Sequence, residues 1–282
     1  MIKIGGETIK FERFPNNESL LKNHEIIIRD SLPNENSTIY INFKYIDDSS
    51  LMELYLIKQE IDLKFPKSKT FLRITYLPYS RMDRGSTSTC FTLKHISKFI
   101  NNLQFDGIVI GEPHSNVCLE MINNSVPRWY TKELLSDYLL SNEFDPALDA
   151  VLFPDNGAHT RYRDILLFEI PYGSNIIIGE KKRNFETGRI EELKLNSSSE
   201  NIRNVIIVDD LCSYGGTFVL ALDSLKAMGV KKADLIVGNC EKSIVDGDLL
   251  NHPLLKKVYT TNSIINRVYE NEYPKLNIKA VI

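Results

Sequence analysis

The sequence has few of the features that mark membrane, secreted or polyanion-binding proteins. Among its 282 residues no apolar run approaches the roughly 18 residues that would span a membrane, and the N-terminal segment MIKIGGETIKFERF lacks the apolar core of a signal peptide. The net charge is only −3 and the pI is near 6.0, so bulk charge gives no attraction to nucleic acid. These absences predict a cytoplasmic protein with neither a membrane nor a nucleic-acid partner.

Cysteine and the common nucleotide motifs are equally scarce. The four cysteines are far apart and form no CxxC pair, which argues against a zinc site or a disulfide framework and predicts reduced thiols. Neither a Walker A GxxxxGK[ST] nor a GxGxxG occurs in the chain. A nucleophilic hydrolase is set aside because the chain has no GxSxG and no cysteine beside a histidine in a recognisable pattern.

What remains is the composition of an ordinary globular protein, with 43% hydrophobic and 25% charged residues. At roughly 150 residues per domain, the length favours two domains or one large one. Strand-like and helix-like stretches alternate along most of the chain, which predicts an α/β fold. The polar, proline-containing stretch at 141–150 is the expected boundary between two lobes of similar size, residues 1–143 and residues 144–282.

The most informative segment is VIIVDDLCSYGGTF at residues 205–218. Its apolar run predicts a buried parallel strand, which leads through two acids and a glycine-bearing loop into a helix start. Glycines and the first N–H groups of a helix suit a phosphate, whereas Asp209 and Asp210 would repel one and are better placed to bind ribose hydroxyls or Mg²⁺. The alternative is that the acids cap a helix and that Gly215-Gly216 is an ordinary turn. The order of these parts favours a sugar-phosphate site.

This segment resembles the PRPP (5-phosphoribosyl-1-diphosphate) motif of type I phosphoribosyltransferases and of ribose-phosphate diphosphokinases, or PRPP synthetases. Six further segments resemble motifs of the diphosphokinases, in the same order along the chain. They are FPNNE at 14–18, YSRMDR at 79–84, EPHS at 112–115, PDNG at 154–157 with Arg161, EKKR at 180–183 and VYTTNSI at 258–264. A plain phosphoribosyltransferase has no need of the first-half set, so the chain resembles the diphosphokinases more closely.

The resemblance implies two phosphoribosyltransferase-like lobes, each a mainly parallel sheet flanked by helices. The first would hold the ATP and adenine side and the oligomer contacts, and the second the sugar-phosphate and pyrophosphate loops and a flexible catalytic loop. The implied reaction moves the β,γ-diphosphoryl group of ATP onto the anomeric hydroxyl of ribose 5-phosphate, giving PRPP and AMP with Mg²⁺ as the metal. Phosphoryl transfer of this kind depends mainly on positioning and charge stabilisation.

The family's functional positions map onto individual residues of this chain. The catalytic basic positions fall on Lys181 and Arg183. Sugar-phosphate binding is implied for Asp209, Asp210, Ser213, Tyr214, Gly215, Gly216 and Thr217. ATP binding is implied for Phe14, Asn16, Glu18, Arg81, Asp83, Arg84 and His114. The pyrophosphate loop is implied for Asp155, Asn156, Gly157 and Arg161. The ligands of the Mg²⁺ that accompanies ATP would be His114 and Asp155.

Each of these assignments has a simpler alternative. The basic pair at 181 and 183 also fits a solvated cluster, His114 an ordinary hydrogen-bonding residue, and Phe14 a core aromatic residue. A catalytically silent subunit that binds nucleotides and regulates an active partner is an alternative of another class. Retention of the basic pair and of the paired acids argues against it. By resemblance the adenine site is completed by a neighbouring subunit, which implies a homo-oligomer built from dimers, up to a hexamer.

Three departures from the family limit the transfer of roles. Asn17 replaces a glycine of FxxGE, a position where asparagine can adopt the left-handed conformation. Met82 replaces a glutamine, and Ser213-Tyr214 replaces an acid-threonine pair where the 5-phosphate would dock. A tyrosine ring there could stack on a group attached to that phosphate, so ADP-ribose is the alternative acceptor, in a reaction of NAD regeneration. Ribose 5-phosphate is the first expectation.

Overall fold

The computed structural model describes residues 1–22, 28, 37–141, 143–183, 190–196 and 202–282, with residues 181–183 and 190–192 described by their backbone alone. The chain divides into two compact units, Met1–Arg128 together with Ile282, and Trp129–Val281. Each is an α/β unit built on a mostly parallel sheet, which confirms the fold class predicted from the sequence. Across the described ranges no helix is long and apolar enough to span a membrane.

The first unit is built on a sheet with the strand order β2-β1-β5-β6-β7-β8 in the described residues. These strands are β1 (Ile2–Ile4), β2 (Glu7–Ile9), β5 (Thr38–Phe43), β6 (Lys69–Ile74), β7 (Gly107–Gly111) and β8 (Ser125–Arg128), and a separate antiparallel hairpin is formed by β3 (Phe11–Arg13) and β4 (Ser19–Leu21). Strands β5 to β8 are parallel, whereas β1 pairs antiparallel with β2 and β5. The parallel strands therefore present their carboxyl ends at one edge, where ligands of open α/β sheets bind.

Helices of the first unit connect these parallel strands. They are α1 (Ser49–Lys64), α2 (Thr92–Asn102) and α3 (Asn116–Met121). Helix α1 forms because Leu51, Leu54, Ile57 and Ile61 recur at helical spacing. All four side chains are buried in one apolar cluster with the sheet, which confirms the amphipathic helix expected from that spacing.

The second unit is built on a sheet with the order β11-β10-β9-β12-β13-β14-β15 in the described residues. Its strands are β9 (Asp149–Phe153), β10 (Asn175–Arg183), β11 (Ile190–Asn196), β12 (Asn204–Cys212), β13 (Lys232–Cys240), β14 (Leu255–Thr261) and β15 (Leu276–Lys279). All neighbouring pairs are parallel except β10 with β11. Every residue of β9 is buried, as expected for a parallel strand covered on both faces.

Helices pack against this sheet and give it two apolar clusters. The helices are α4 (Tyr130–Ser141), α5 (Asn156–Tyr162), α6 (Gly216–Ala227) and α7 (Tyr269–Glu272), and two 3₁₀ turns span Lys242–Asp246 and Leu249–Asn251. One cluster contains Leu222 and Leu225 of α6, and the other contains Leu134 of α4 with Tyr162 of α5. Both clusters hold the carboxyl edge of the sheet, and the loops that leave it, on a rigid base.

The first unit ends at Arg128, earlier than the expected lobe boundary between residues 143 and 144. The difference is helix α4, which belongs to the second unit. Its Leu135 packs in the same cluster as Val151 of β9, and the Tyr138 hydroxyl donates to Asp234 of β13 at 2.9 Å. The polar stretch at 141–150 is therefore the connection from α4 to β9 within one unit, because the apolar face of α4 is buried by the sheet that follows it.

Candidate functional site

The central motif of the second unit lies at the carboxyl edge of its sheet. Strand β12 runs further than the apolar run predicts, because Asp209 to Cys212 continue to pair with β13, Cys212 opposite Cys240. A short bend then leads to Gly215, whose φ of 84° is left-handed, and α6 begins at Gly216. The first N–H groups of a helix have no carbonyl partner within it. The start of α6 and the two acids therefore lie at the same edge of the sheet.

Gly215 occupies a position that another residue would not fit. Besides its left-handed φ, a Cβ there would lie 2.7 Å from Cβ and Cδ2 of Leu249, in the second 3₁₀ turn. Gly216 is exposed, and a Cβ on it would meet nothing within 4 Å. The first glycine is thus required by the backbone turn and its packing, whereas the second leaves open space in front of the helix, where a phosphate could approach.

The two acids face an arginine from another segment of the second unit. Arg161 of α5 donates from Nη1 to Oδ1 of Asp210 at 2.8 Å and to Oδ1 of Asp209 at 3.5 Å, and none of the three side chains is more than 15% exposed. The main chain of Asp210 also donates to the Asp209 carboxylate at 2.9 Å. The structure therefore joins the segment predicted as a pyrophosphate loop to the segment predicted to bind the sugar.

Burial and the close approach of these three charged groups shift the pKa of Asp209 and of Arg161. Burial, followed by the repulsion of Asp210, raises the pKa of Asp209 well above its usual value. Burial opposes the charge of Arg161, but Asp210, Tyr162 and Asp209 together outweigh it, so the pKa of this guanidinium is raised. The edge therefore presents the oxygen atoms of two acids held by one cation, which suits ribose hydroxyls or a divalent cation and not a phosphate.

The remaining residues of the predicted pyrophosphate loop lie at the start of α5. Asp155 is the N-cap of that helix, and its Oδ1 accepts the N–H of Ala158 at 2.8 Å. Asn156 and Gly157 are exposed in the first turn. The His159 ring packs 5.5 Å from the ring of Phe153, in keeping with a structural role. The loop directly follows β9, so it shares the carboxyl edge with the acids of β12.

The expected catalytic basic positions lie in strand β10. In the backbone pairing with β11, Lys181 is opposite Leu193 and Arg183 is opposite Ile190. The side chains of Lys181 and Arg183 lie outside the described part of the chain.

Sequence reasoning missed two polar residues beside the sugar-phosphate loop. Ser213 Oγ lies 3.0 Å from Ser243 Oγ, and Ser243 donates to Oε2 of Glu241 at 3.4 Å. Glu241 and Ser243 directly follow β13, the neighbour of β12, so adjacency of parallel strands was the signal that could have found them. Tyr214, between Ser213 and Gly215, is 62% exposed. Its ring is therefore open to solvent rather than packed in the core.

In the first unit, three residues expected to bind ATP lie in the turn of the β3–β4 hairpin. Phe14 is 49% exposed and so is no core residue, and its N–H donates to the Glu18 carbonyl at 3.0 Å. Asn17 has a φ of 68°, which confirms that asparagine adopts the left-handed conformation where the family has glycine. Oδ1 of Asn16 accepts the N–H of Glu18 at 3.2 Å. The turn presents an aromatic ring and a carboxylate to solvent.

The arginine-rich segment and the histidine segment of the first unit are joined by a hydrogen bond. Asp83 is mostly buried, and its Oδ2 accepts from Ser115 Oγ at 2.7 Å, next to the half-buried His114. Arg81 is exposed, and the side chain of Arg84 is 92% exposed. The structure therefore gives Asp83 a bonding role between two loops, and Nε of Arg84 lies 3.6 Å from the other carboxylate oxygen of Asp83.

Both loops begin with a residue in the left-handed region. Tyr79 has a φ of 62°, and its hydroxyl and that of Tyr45 both donate to the Asp48 carboxylate. Glu112 has a φ of 42° and is buried at the end of β7. A non-glycine residue in this conformation is strained and is held there by its surroundings, which is common where a loop serves a ligand.

The described residues contain no cluster of three or more His, Cys, Asp or Glu side chains arranged to hold a metal ion. Magnesium is commonly bound by one or two carboxylates together with substrate phosphates, so oxygen donors such as Asp155, Asp209 and Asp210 fit a metal that arrives with a nucleotide. Of the two expected ligands, His114 belongs to the first unit and Asp155 to the second.

Comparisons with known proteins agree with the motifs. No protein-family model matches the chain. It is 27% identical over 239 residues to a ribose-phosphate pyrophosphokinase of Saccharolobus solfataricus, covering 82% of this chain and 78% of that protein. It is 24% identical over 278 residues to the one of Mycoplasmopsis pulmonis, covering 96% and 84%, and 28% identical over 239 residues to the one of Aquifex aeolicus, covering 82% and 72%.

The fold agrees as well. The solved structure of phosphoribosylpyrophosphate synthetase from Mycobacterium smegmatis matches with a TM-score of 0.74 at 14% sequence identity, covering 97% of this chain and 86% of that one. At this identity the likeness shows the fold alone. In its ordered motifs, its two α/β units and its sequence, the chain is similar to the ribose-phosphate pyrophosphokinases, or PRPP synthetases.

Proposed function

We propose that this chain is a Mg²⁺-dependent diphosphotransferase that moves the β,γ-diphosphoryl group of ATP to the anomeric hydroxyl of ribose 5-phosphate. The anomeric oxygen attacks the β-phosphorus, the bond from that phosphorus to the α-phosphate bridging oxygen breaks, and AMP leaves while the hydroxyl proton is released. The observation that carries the proposal is the contact of Arg161 with Asp210 and Asp209, directly before the Gly215–Thr217 turn.

In the second unit, each part of this edge has a role in the proposed reaction. Asp209 and Asp210 bind the ribose hydroxyls, and the N-terminus of α6 with Thr217 binds the 5-phosphate. Asp155 contributes to the Mg²⁺ of the nucleotide, and Lys181 and Arg183 neutralise charge on the transferred group and on AMP. Arg161 keeps the acid pair in place and limits its repulsion toward the incoming phosphates.

In the first unit, the exposed loops bind the nucleotide. Arg81 and Arg84 bind its phosphates, and His114 supports the metal. Phe14 covers one face of the adenine, and Glu18 accepts a hydrogen bond from its amino group. The exposure of Phe14 and of Arg84 supports these roles, since most of each side chain is open to solvent.

The proposal is tested by incubating the purified chain with ATP, Mg²⁺ and ribose 5-phosphate, with mass analysis for PRPP and AMP. We expect both products in equal amounts, and none after chelation of the metal. Asp210→Asn is expected to remove the product, while Asp164→Asn, an exposed acid beside Arg163, keeps it. No AMP from the wild-type chain alone would reject the proposal, and stimulation of an active family member by that inactive chain would indicate a regulatory subunit.

ADP-ribose is the second candidate acceptor, and the position of Tyr214 favours it. The ring stands next to Ser213 and Gly215, is 62% exposed, and so is available to stack on a group beyond the 5-phosphate. ADP-ribose has the same anomeric hydroxyl, and its 5-phosphate is joined to AMP by a phosphoanhydride bond. The same assay with ADP-ribose in place of ribose 5-phosphate separates the two acceptors by the mass of the product. Tyr214→Thr is expected to lower kcat/KM for ADP-ribose alone if the ring stacks on it.

A further inference from the structure

Behind the sugar-phosphate loop lies a row of polar side chains that ends in a carboxylate. Ser213 Oγ is 3.0 Å from Ser243 Oγ, and Ser243 Oγ is 3.4 Å from Oε2 of Glu241. All three residues belong to the second unit, and each is partly buried. The first is a loop residue expected to contact the 5-phosphate, so the carboxylate of Glu241 lies two hydrogen bonds from that position.

The backbone holds this carboxylate at its place. The N–H of Glu241 donates to the Cys212 carbonyl at 2.8 Å, at the end of β12. The 3₁₀ turn that follows is anchored by the buried Ile244, whose N–H donates to the Glu241 carbonyl at 3.2 Å. Gly247 packs so closely that a Cβ there would lie 2.1 Å from the Tyr214 carbonyl oxygen. The segment 241–247 is therefore a fixed wall of the loop.

The direction of the hydrogen bonds follows from the chemistry of the last group. An ionised carboxylate only accepts, so Ser243 donates its proton to Glu241. Ser243 Oγ then accepts from Ser213, which uses the single hydroxyl proton of Ser213. The Ser213 hydroxyl consequently offers lone pairs, and no proton, to a group bound in the loop.

We infer that Glu241, acting through Ser243 and Ser213, is a specificity-determining residue that favours a 5-phosphoryl group with a second substituent, as in ADP-ribose, over a phosphate monoester. A monoester carries nearly two negative charges at neutral pH, since its second pKa is about 6, and presents three unesterified oxygens that need donors. The 5-phosphoryl group of ADP-ribose, joined on its other side to the AMP phosphate by an anhydride oxygen, carries one charge and presents two such oxygens. A nearby carboxylate repels the phosphate monoester more strongly because of its higher charge. A loop with one hydrogen-bond donor fewer also leaves more of the monoester's oxygens without a partner.

This inference rests on the proposed function, since it takes the 5-phosphoryl group to be seated in this loop. Its test is the ratio of kcat/KM for ribose 5-phosphate to that for ADP-ribose. Glu241→Gln keeps the shape and removes the charge, and we expect it to raise the ratio about tenfold. Ser243→Ala removes the bridging hydroxyl but keeps the charge, and should raise the ratio by less. Asp164→Asn is the charge-matched control and should leave the ratio unchanged.

Two readouts separate charge from a packing effect. The ratio for the wild-type chain should rise as the pH falls through about 6, where ribose 5-phosphate loses its second charge, and this rise should be weaker in Glu241→Gln. The difference in this ratio between the wild-type chain and Glu241→Gln should also shrink at high salt. Thermal unfolding of each variant shows whether the fold is kept.

The outcomes distinguish the two proposals. If the wild-type chain transfers to neither acceptor, the proposed function fails. If it transfers but Glu241→Gln changes the ratio by less than twofold, the inference fails while the function stands. An equal rise in Glu241→Gln and Ser243→Ala, without dependence on pH or salt, would also overturn the inference, because it would point to packing of the loop.

Discussion

At the scale of single residues, the acid pair on β12 illustrates the conflict between stability and function. Asp209 is held at an edge where burial and Asp210 oppose its ionisation. A carboxyl group whose pKa is raised by folding stabilises the fold at low pH and loses this contribution as the pH rises through the folded-state pKa. The residue is thus retained at a cost in stability, which is typical of ligand-binding sites.

Asp209→Asn is therefore expected to raise the free energy of unfolding at pH 8 by on the order of 1 kcal/mol and to abolish transfer. The gain should disappear below the usual pKa of 3.8, where Asp209 is protonated in both states. Denaturant unfolding at several pH values, with a transfer assay on the same samples, measures both effects. A variant less stable than wild type at pH 8 would contradict this account.

Lys181 offers a prediction about the reaction itself. If its ammonium group neutralises charge on the transferred diphosphoryl group, Lys181→Ala should lower kcat by about 10²- to 10³-fold and change KM for ATP much less. Lys182→Ala removes the same charge one residue away, at a position with no assigned role, and is the matched control. Steady-state kinetics of both variants decide the matter. A kcat of Lys181→Ala within a few fold of wild type would exclude Lys181 from the mechanism.

At the scale of elements, the turn from β12 to α6 determines where the phosphate-binding N–H groups lie. Two adjacent glycines have different roles there. Gly215 has a positive φ and lies against Leu249, whereas Gly216 opens onto free space. The order of residues in the sequence predicted the turn, but the contact with the 3₁₀ turn at Leu249–Asn251 depends on tertiary packing.

Gly215→Ala is accordingly expected to destabilise the protein by about 1–3 kcal/mol and to displace the turn, with a large rise in KM for the acceptor. Gly216→Ala should fold like the wild type, because its Cβ meets no atom within 4 Å. Thermal unfolding and acceptor titration compare the pair. Equal stability of the two variants would show that the turn tolerates a side chain at 215.

The parallel pair β9 and β12 is held at its start by a second carboxylate. Asp149 accepts from Arg203 Nε and Nη2 at 3.1 and 2.9 Å and from Asn204 Nδ2 at 2.8 Å. Burial opposes its charge, but the hydrogen bonds from Arg203, the Asp145 main chain and Asn204, together with the charge of Arg203, outweigh burial, so the pKa of Asp149 is lowered. Its stabilisation is therefore complete above the usual value of 3.8 and is lost as the pH falls through the lowered pKa.

Asp149→Asn should lower the free energy of unfolding by about 2 kcal/mol at pH 7. This loss is smaller than the loss expected for a fully buried ion pair, because Arg203 is partly exposed. The difference from wild type should vanish in acid. Urea unfolding at pH 7 and at decreasing pH measures it. A cost that is independent of pH would assign the effect to packing instead of charge.

At the scale of the whole molecule, the exposed Phe14 and the arginines of the first unit bear on assembly. The resemblance implies that a neighbouring subunit completes the adenine site. We therefore expect multiples of two chains of 32.3 kDa by light scattering. Phe14→Ala should raise KM for ATP and leave kcat nearly unchanged, as for loss of a stacking face. A fully active monomer would contradict a shared adenine site.

The sequence by itself determined the α/β class, the family motifs and the strand–acid–loop–helix order of residues 205–218, because apolar periodicity, glycines and paired acids act locally along the chain. Only the tertiary structure decided that α4 belongs to the second unit, that Arg161 pairs with the two acids, and that Glu241 and Ser243 stand behind Ser213. Each of these contacts joins segments that are distant in sequence and meet because parallel strands bring their carboxyl ends to one edge. The spacing of residues along the chain does not predict such contacts, because they depend on how the sheet and its helices pack.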